Sequence, residues 1–137
     1  MSTTELVQLA IDEVWNKRRL ELADELFSKG YVNHGGLVPD LVAGPEAVRV
    51  SVALYQRAFP TFYITVAEFV VERTGIVIRW IAHTRRPSSL AAAHRAHGLR
   101  GITRCRIKDG KIAESWTAWD SRAALLRVVD APRPAGG

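Results

Sequence analysis

GITRCRIKDGKIAESWTAWD, residues 101–120, decides how the chain is read. Its centre is Lys108-Asp109-Gly110-Lys111, and Asp-Gly is the strongest short-range hairpin signal, because both positions of a tight two-residue turn need positive φ. The flanks are rich in β-branched and aromatic residues, so strands are predicted over 99–107 and 112–120. Strict alternation along the second places Ile112, Glu114, Trp116, Ala118 and Asp120 on one face if no bulge intervenes. Ser115, Thr117 and Trp119 take the other.

Upstream, 62–72 (FYITVAEFVVE) and 76–83 have the same character. In the second of these, Val77, Arg79, Ile81 and His83 share one face, and Ile78, Trp80 and Ala82 the other. Before Pro60 the period is helical. Leu6, Val7, Leu9, Ala10, Val14 and Trp15 form an amphipathic stripe, with Thr3 or Thr4 as cap. Leu20, Leu22, Ala23, Leu26 and Phe27 predict a short second helix to about Ser28, ended by Gly30. The stretch 31–44, with its three glycines and one proline, reads mostly as loop. Gly44-Pro45-Glu46 starts a third helix that runs to about Phe59, with Val48, Val52, Leu54, Tyr55 and Phe59 inward. Helices first and hairpin-joined strands after them make an α+β pattern. A strongly bent antiparallel sheet around such helices leaves a pocket, suited to a small apolar or aromatic ligand. The domain is read as 1–129, with a disordered tail over 130–137. Segment 85–98 is a loop or a short helical insert.

At 137 residues the chain is about one domain, long enough to fold without disulfides or metal. Hydrophobic residues at 47% and charged residues at 24% make the composition globular. No signal peptide or membrane span is read, and one cysteine, Cys105, gives no internal disulfide, so the expected compartment is the cytoplasm. The net charge of +5 is uneven: residues 1–72 carry −4 and residues 73–137 carry +9. Seven arginines and no acid lie from Arg79 to Arg106. Such a run raises nucleic acid as a partner, but no RNP-like aromatic motif or recognition-helix pattern accompanies it, so none is expected. The run reads instead as the sheet's outer surface and, through Arg85, Arg86 and Arg95, the pocket mouth.

Asp120, beyond an aromatic-rich strand, is a candidate general acid/base if the cavity desolvates it. It is equally placed to cap a following helix, 121–129. Arg79, among apolar neighbours, needs an acid or a bound anion, and Asp120 or Glu114 would serve. His34 and His83 are candidates for polarising a carbonyl or moving a proton; His94 and His97 read as surface residues. Cys105, mid-strand with no base beside it, is not read as a nucleophile. There is no GxSxG, GxGxxG, Walker loop or HExxH, and no metal or cofactor is expected.

Several strings together resemble the SnoaL-like polyketide cyclase family of the nuclear transport factor 2-like superfamily. They are YVNHGG (31–36), GPEAVR (44–49), AFP (58–60), IRWIAH (78–83) and, most specifically, 101–120. The resemblance spans about residues 5–128. It implies a conical α+β barrel with a deep apolar pocket. It also implies cofactor-independent ring closure of a polyketide intermediate by intramolecular aldol condensation, with Asp120 as general acid/base. His34 and Trp116 match pocket-lining positions, and Arg79 and His83 match positions of the arginine strand. A planar substrate would lie against Trp80, Trp116 and Tyr55, with His34 or Arg79 polarising its carbonyl. Relatives assist hydroxylation, hydrolyse epoxides or isomerise ketosteroids, and many domains of this shape only bind ligands. The sequence leaves the family pattern at 84–98. Ile78, Trp80, Ile102 and Trp119 would supply an apolar outer face for a homodimer.

Overall fold

A computed structural model describes residues 1–35, 42–83 and 99–119. The expectations for the insert at 85–98, for Asp120, for a helix at 121–129 and for the tail therefore lie outside the described residues. So do those for Arg85, Arg86, His94, Arg95 and His97.

Helix α1 (Thr3–Leu9) continues in wider, π-type winding over Ala10–Asn16. Its cap is Ser2, one residue earlier than expected, whose hydroxyl accepts from the Glu5 amide at 3.1 Å. The second helical segment is shorter than predicted: a 3₁₀ turn at Leu20–Leu22 runs into α2 (Ala23–Leu26). The chain then becomes strand β1 (Phe27–His34), where sequence reading put a helix end and a loop. Helix α3 (Pro45–Ala58) starts after Gly44, whose φ of 81° favours glycine. Strands β2 (Tyr63–Val71), β3 (Gly75–His83), β4 (Leu99–Lys108) and β5 (Lys111–Trp119) follow.

The strands form one five-stranded sheet in the order β1-β5-β4-β3-β2. All neighbours are antiparallel except β1, which pairs parallel with β5. Asp109 (φ 53°) and Gly110 (φ 74°) make the predicted turn between β4 and β5.

The helices cover the concave face. Val14 and Val52 from the helices and Ile76 from β3 have no solvent exposure. Burying each such side chain stabilises the fold by roughly 1.5–3 kcal/mol, which fixes the helices to the sheet. Leu54, expected inward, is exposed on the far side of α3. The Asn16 amide acts as a surrogate strand. Its Nδ2 donates to the Ile64 carbonyl at 2.8 Å, and its Oδ1 accepts from the Ile64 amide at 2.7 Å. Two hydrogen bonds on the edge strand β2 are thereby satisfied. No described helix is long and apolar enough to cross a membrane.

Candidate active site

The concave face and the helices enclose a cavity with about 1060 Å³ of empty volume, its open mouth included. Trp15, Tyr55 and Phe62 make an aromatic wall, with Trp15 edge-on to Tyr55 and Phe62 stacked on Tyr55 at 5.2 Å. Ile78 and Trp80 of β3, Cys105 of β4 and Ile112 of β5 face it from the sheet.

The parity of β5 decides which side chains enter. The β4–β5 register shifts between Arg106 and Ile107, opposite Glu114 and Ile112, so the strand carries an extra residue there. Both Ile112 and Ala113 are buried. Past this bulge the phase is reversed. Ser115 and Thr117 turn into the cavity; Glu114 and Trp116 turn out. The expected single face of Ile112, Glu114 and Trp116 is therefore broken. Trp116 is 41% exposed and stacks on His34 on the convex side. His34 Nε2 lies 2.7 Å from a Glu114 carboxylate oxygen, and Arg106 Nε donates to the other at 3.3 Å. The His34 hydrogen bond, with help from Arg106, holds the Glu114 carboxyl below its ordinary value.

β3 obeys simple alternation, with consequences for Arg79. Ile76, Ile78, Trp80 and Ala82 point inward. Arg79 points outward, more than half exposed, and meets Glu68 at 3.9 Å rather than Glu114; the expected pairing with Asp120 lies outside the described residues. His83 also lies on the outer face, stacked on Tyr63 and 3.0 Å from the Thr65 hydroxyl. Partial burial lowers its pKa. Ile78 and Trp80, expected as part of an outer apolar face, belong to the cavity. Ile102 does face out. Of the expected site residues, Trp80 and Tyr55 line the cavity; His34, Glu114 and Trp116 cluster outside it, and Arg79 and His83 sit further along the same outer face.

What the cavity contains instead is neutral and polar. Two rows of hydrogen bonds cross the sheet. In one, Tyr31 OH donates to Ser115 Oγ at 3.1 Å, and Cys105 Sγ lies 3.4 Å from the same hydroxyl. Burial pushes the Cys105 thiol up to about 11, so it stays protonated at neutral pH. In the other, Trp80 Nε1 donates to Thr103 Oγ1 at 2.8 Å. Thr103 Oγ1 lies 3.1 Å from Thr117 Oγ1, which donates to Asn33 Oδ1 at 3.1 Å. This row needs two glycines. A Cβ at Gly101 would collide with the Trp80 indole, which lies over that residue. Gly35 (φ 81°) packs against the Thr117 carbonyl and ends β1 beside β5. No Asp, Glu, Lys, Arg or His lines the cavity among the described residues. Sequence reading missed Asn33, Thr103, Ser115 and Thr117. Reading 27–34 as a strand would have put Tyr31 and Asn33 on one face.

The comparisons agree with this architecture. A comparison with curated proteins finds no match. Among solved structures, IdmH of Streptomyces antibioticus, described as a candidate polyketide cyclase, has a TM-score of 0.71 at 20% identity, covering 94% of this chain and 99% of its own. TsrD of Streptomyces laurentii has a TM-score of 0.71 at 20% identity, covering 94% and 95%. A candidate polyketide cyclase of Acidithiobacillus ferrooxidans has a TM-score of 0.73 at 15% identity, covering 96% and 100%. These likenesses establish the fold. The family model of the SnoaL-like polyketide cyclases matches residues 5–127, and the chain belongs to that family.

Proposed function

We propose that this protein is a cofactor-independent cyclase that closes a ring of an aromatic polyketide intermediate by intramolecular aldol condensation. The observation that carries the reading is the cavity: aromatic-walled, neutral among the described residues, and floored by β5, whose last residue, Trp119, precedes Asp120 in the sequence. Asp120 is the general acid/base. Its carboxylate takes a proton alpha to one carbonyl. The resulting carbanion attacks a second carbonyl carbon, forming the C–C bond, and the alkoxide takes the proton back. Tyr55 and Trp80 hold the planar substrate. Asp120→Asn, assayed on an aromatic keto-ester polyketide, should lose about 10²–10⁴-fold in turnover. Unchanged turnover by a correctly folded variant would overturn the role.

One observation favours a second reading, a binding module without chemistry. The described cavity holds no acid or base that titrates near neutrality, since its thiol is pushed to about 11. The same variant discriminates: a pure binder turns over no substrate in either form. We further propose a homodimer through the convex sheet face, where Ile102 and Trp116 are exposed. Sedimentation should give twice the chain mass, and Ile102→Glu should return it to one. The lone buried thiol fits a reducing cytoplasm.

A further inference from the structure

Four inward side chains on four adjacent strands form a hydrogen-bond row: Trp80, Thr103, Thr117 and Asn33. One proton direction in that row is fixed by chemistry, and one arrangement uses every proton of the row. An indole Nε1–H can only donate, so Thr103 accepts from Trp80. The Thr103 proton is then available to Thr117, and the Thr117 proton goes to Asn33 Oδ1. Run this way, each hydroxyl accepts once and donates once. With the Asn33 amide turned round, its nitrogen would donate to Thr117 and Thr117 to Thr103. Thr103 would then receive two donors and its own proton would have no place in the row. The arrangement that uses every proton of the row has Asn33 Oδ1 against Thr117, as observed.

The consequence lies at the other end of that amide. Asn33 lines the cavity, and its Nδ2 makes no hydrogen bond among the described residues. Two N–H donors are left for whatever occupies the cavity. A hydrogen bond accepted at Oδ1 polarises the amide and strengthens those donors. They suit an acceptor oxygen, above all one that gains negative charge.

We infer that Asn33 is the ligand's oxygen-binding donor in this cavity, selective for a ketone or enolate oxygen on an aromatic frame. Thr117, Thr103 and Trp80 are positioning residues that hold its amide nitrogen toward the ligand. This rests on the reading of the cavity as the ligand site. It assigns polarisation of the carbonyl to a neutral amide in place of His34 or Arg79, which lie on the outer face.

Two probes of nearly equal shape test it: 2-acetylnaphthalene, with one acceptor oxygen, and 2-ethylnaphthalene, with none. Binding is followed by tryptophan fluorescence, and the ketone's C=O stretch by isotope-edited infrared difference spectroscopy. Asn33→Leu should weaken the ketone roughly ten-fold, leave the hydrocarbon within about two-fold, and return the bound C=O stretch to higher frequency. Thr117→Val should weaken the ketone about three-fold with a smaller spectral change, and Thr117→Ser should restore both. Equal losses for both probes in Asn33→Leu, or an unmoved stretch, would overturn the inference and leave the cavity reading standing. If the wild-type protein binds neither probe, the cavity reading falls and this inference with it.

Discussion

The two faces of the sheet are built from alternate residues of the same strands, yet their chemistry is opposite. On the convex face charges pair across strands: Arg79 with Glu68, Arg104 with Glu72, and Arg106 and His34 with Glu114. On the concave face the described polar groups are hydroxyls, a thiol, an indole and an amide, tied into two rows. Desolvation explains the division. A charge beside Ile78 and Cys105 would lose its water with no counter-ion to offset the loss, whereas a neutral donor–acceptor row costs little once each proton has a partner. The seven-arginine run belongs to this division as well: Arg79, Arg100, Arg104 and Arg106, its members among the described residues, all point outward and are exposed. They make the sheet's back and take no part in the cavity.

The sharpest way to break this contrast is to put the same charge on each face. Ile78→Asp on the inner side should cost about 4 kcal/mol or more, enough to unfold a marginal domain. Val70→Asp on the outer side, at an exposed position, should cost about 0.5 kcal/mol. Urea titration checks both, and similar costs would remove the distinction. Glycines give a second contrast, of smaller size. Gly101→Ala drives a methyl group into the Trp80 ring and should cost roughly 1–3 kcal/mol by overpacking. Gly30→Ala on β1 meets open space and should be neutral or stabilising by about 0.5 kcal/mol.

How much of this could be read in advance varies with the kind of signal. The β4–β5 hairpin was legible because Asp109-Gly110 encodes its own turn. Helix α3 was legible because Gly44-Pro45-Glu46 encodes its own start. Strand β1 was not: it carries Gly30 and stops before Gly35, and its partner β5 lies some 80 residues away in a parallel pairing that leaves no local turn. For the cavity wall, Tyr55 was legible from the inward stripe of α3, whereas Trp80 was read both toward a ligand and toward an outer apolar face, and it lines the cavity. Trp116 and Glu114 were misplaced because alternation carries through a strand only until a bulge, and the extra residue between Ile112 and Glu114 reverses everything after it. Arg79 was misplaced for another reason. Apolar neighbours in sequence are not neighbours in space on a strand, and the face it occupies is the charged one.

The smallest expected effects belong to the convex charges. Arg104→Ala should change stability by about 0.5 kcal/mol or less, with the difference fading in high salt. Glu114, held below its ordinary value by His34 and Arg106, favours folding when ionised. That contribution is intact above the unfolded carboxyl's pKa and is lost as pH falls through the lower folded value. His34→Ala should therefore differ from wild type at neutral pH and converge with it once pH has fallen below Glu114's lowered folded value. His83, lowered by burial, has the same sign in a higher window: protonation costs stability once pH drops below about 6.5. His83→Gln should flatten that part of a thermal-melt pH series.

The most direct measurement uses the two tryptophans on opposite faces. Trp80 lines the cavity, and Trp116 stands outside it, stacked on His34. Titrating 2-acetylnaphthalene into Trp80→Ala and Trp116→Ala should weaken binding at least ten-fold in the first and by less than about two-fold in the second. Loss of binding in Trp116→Ala, with Trp80→Ala unaffected, would contradict the assignment of the concave face as the ligand site.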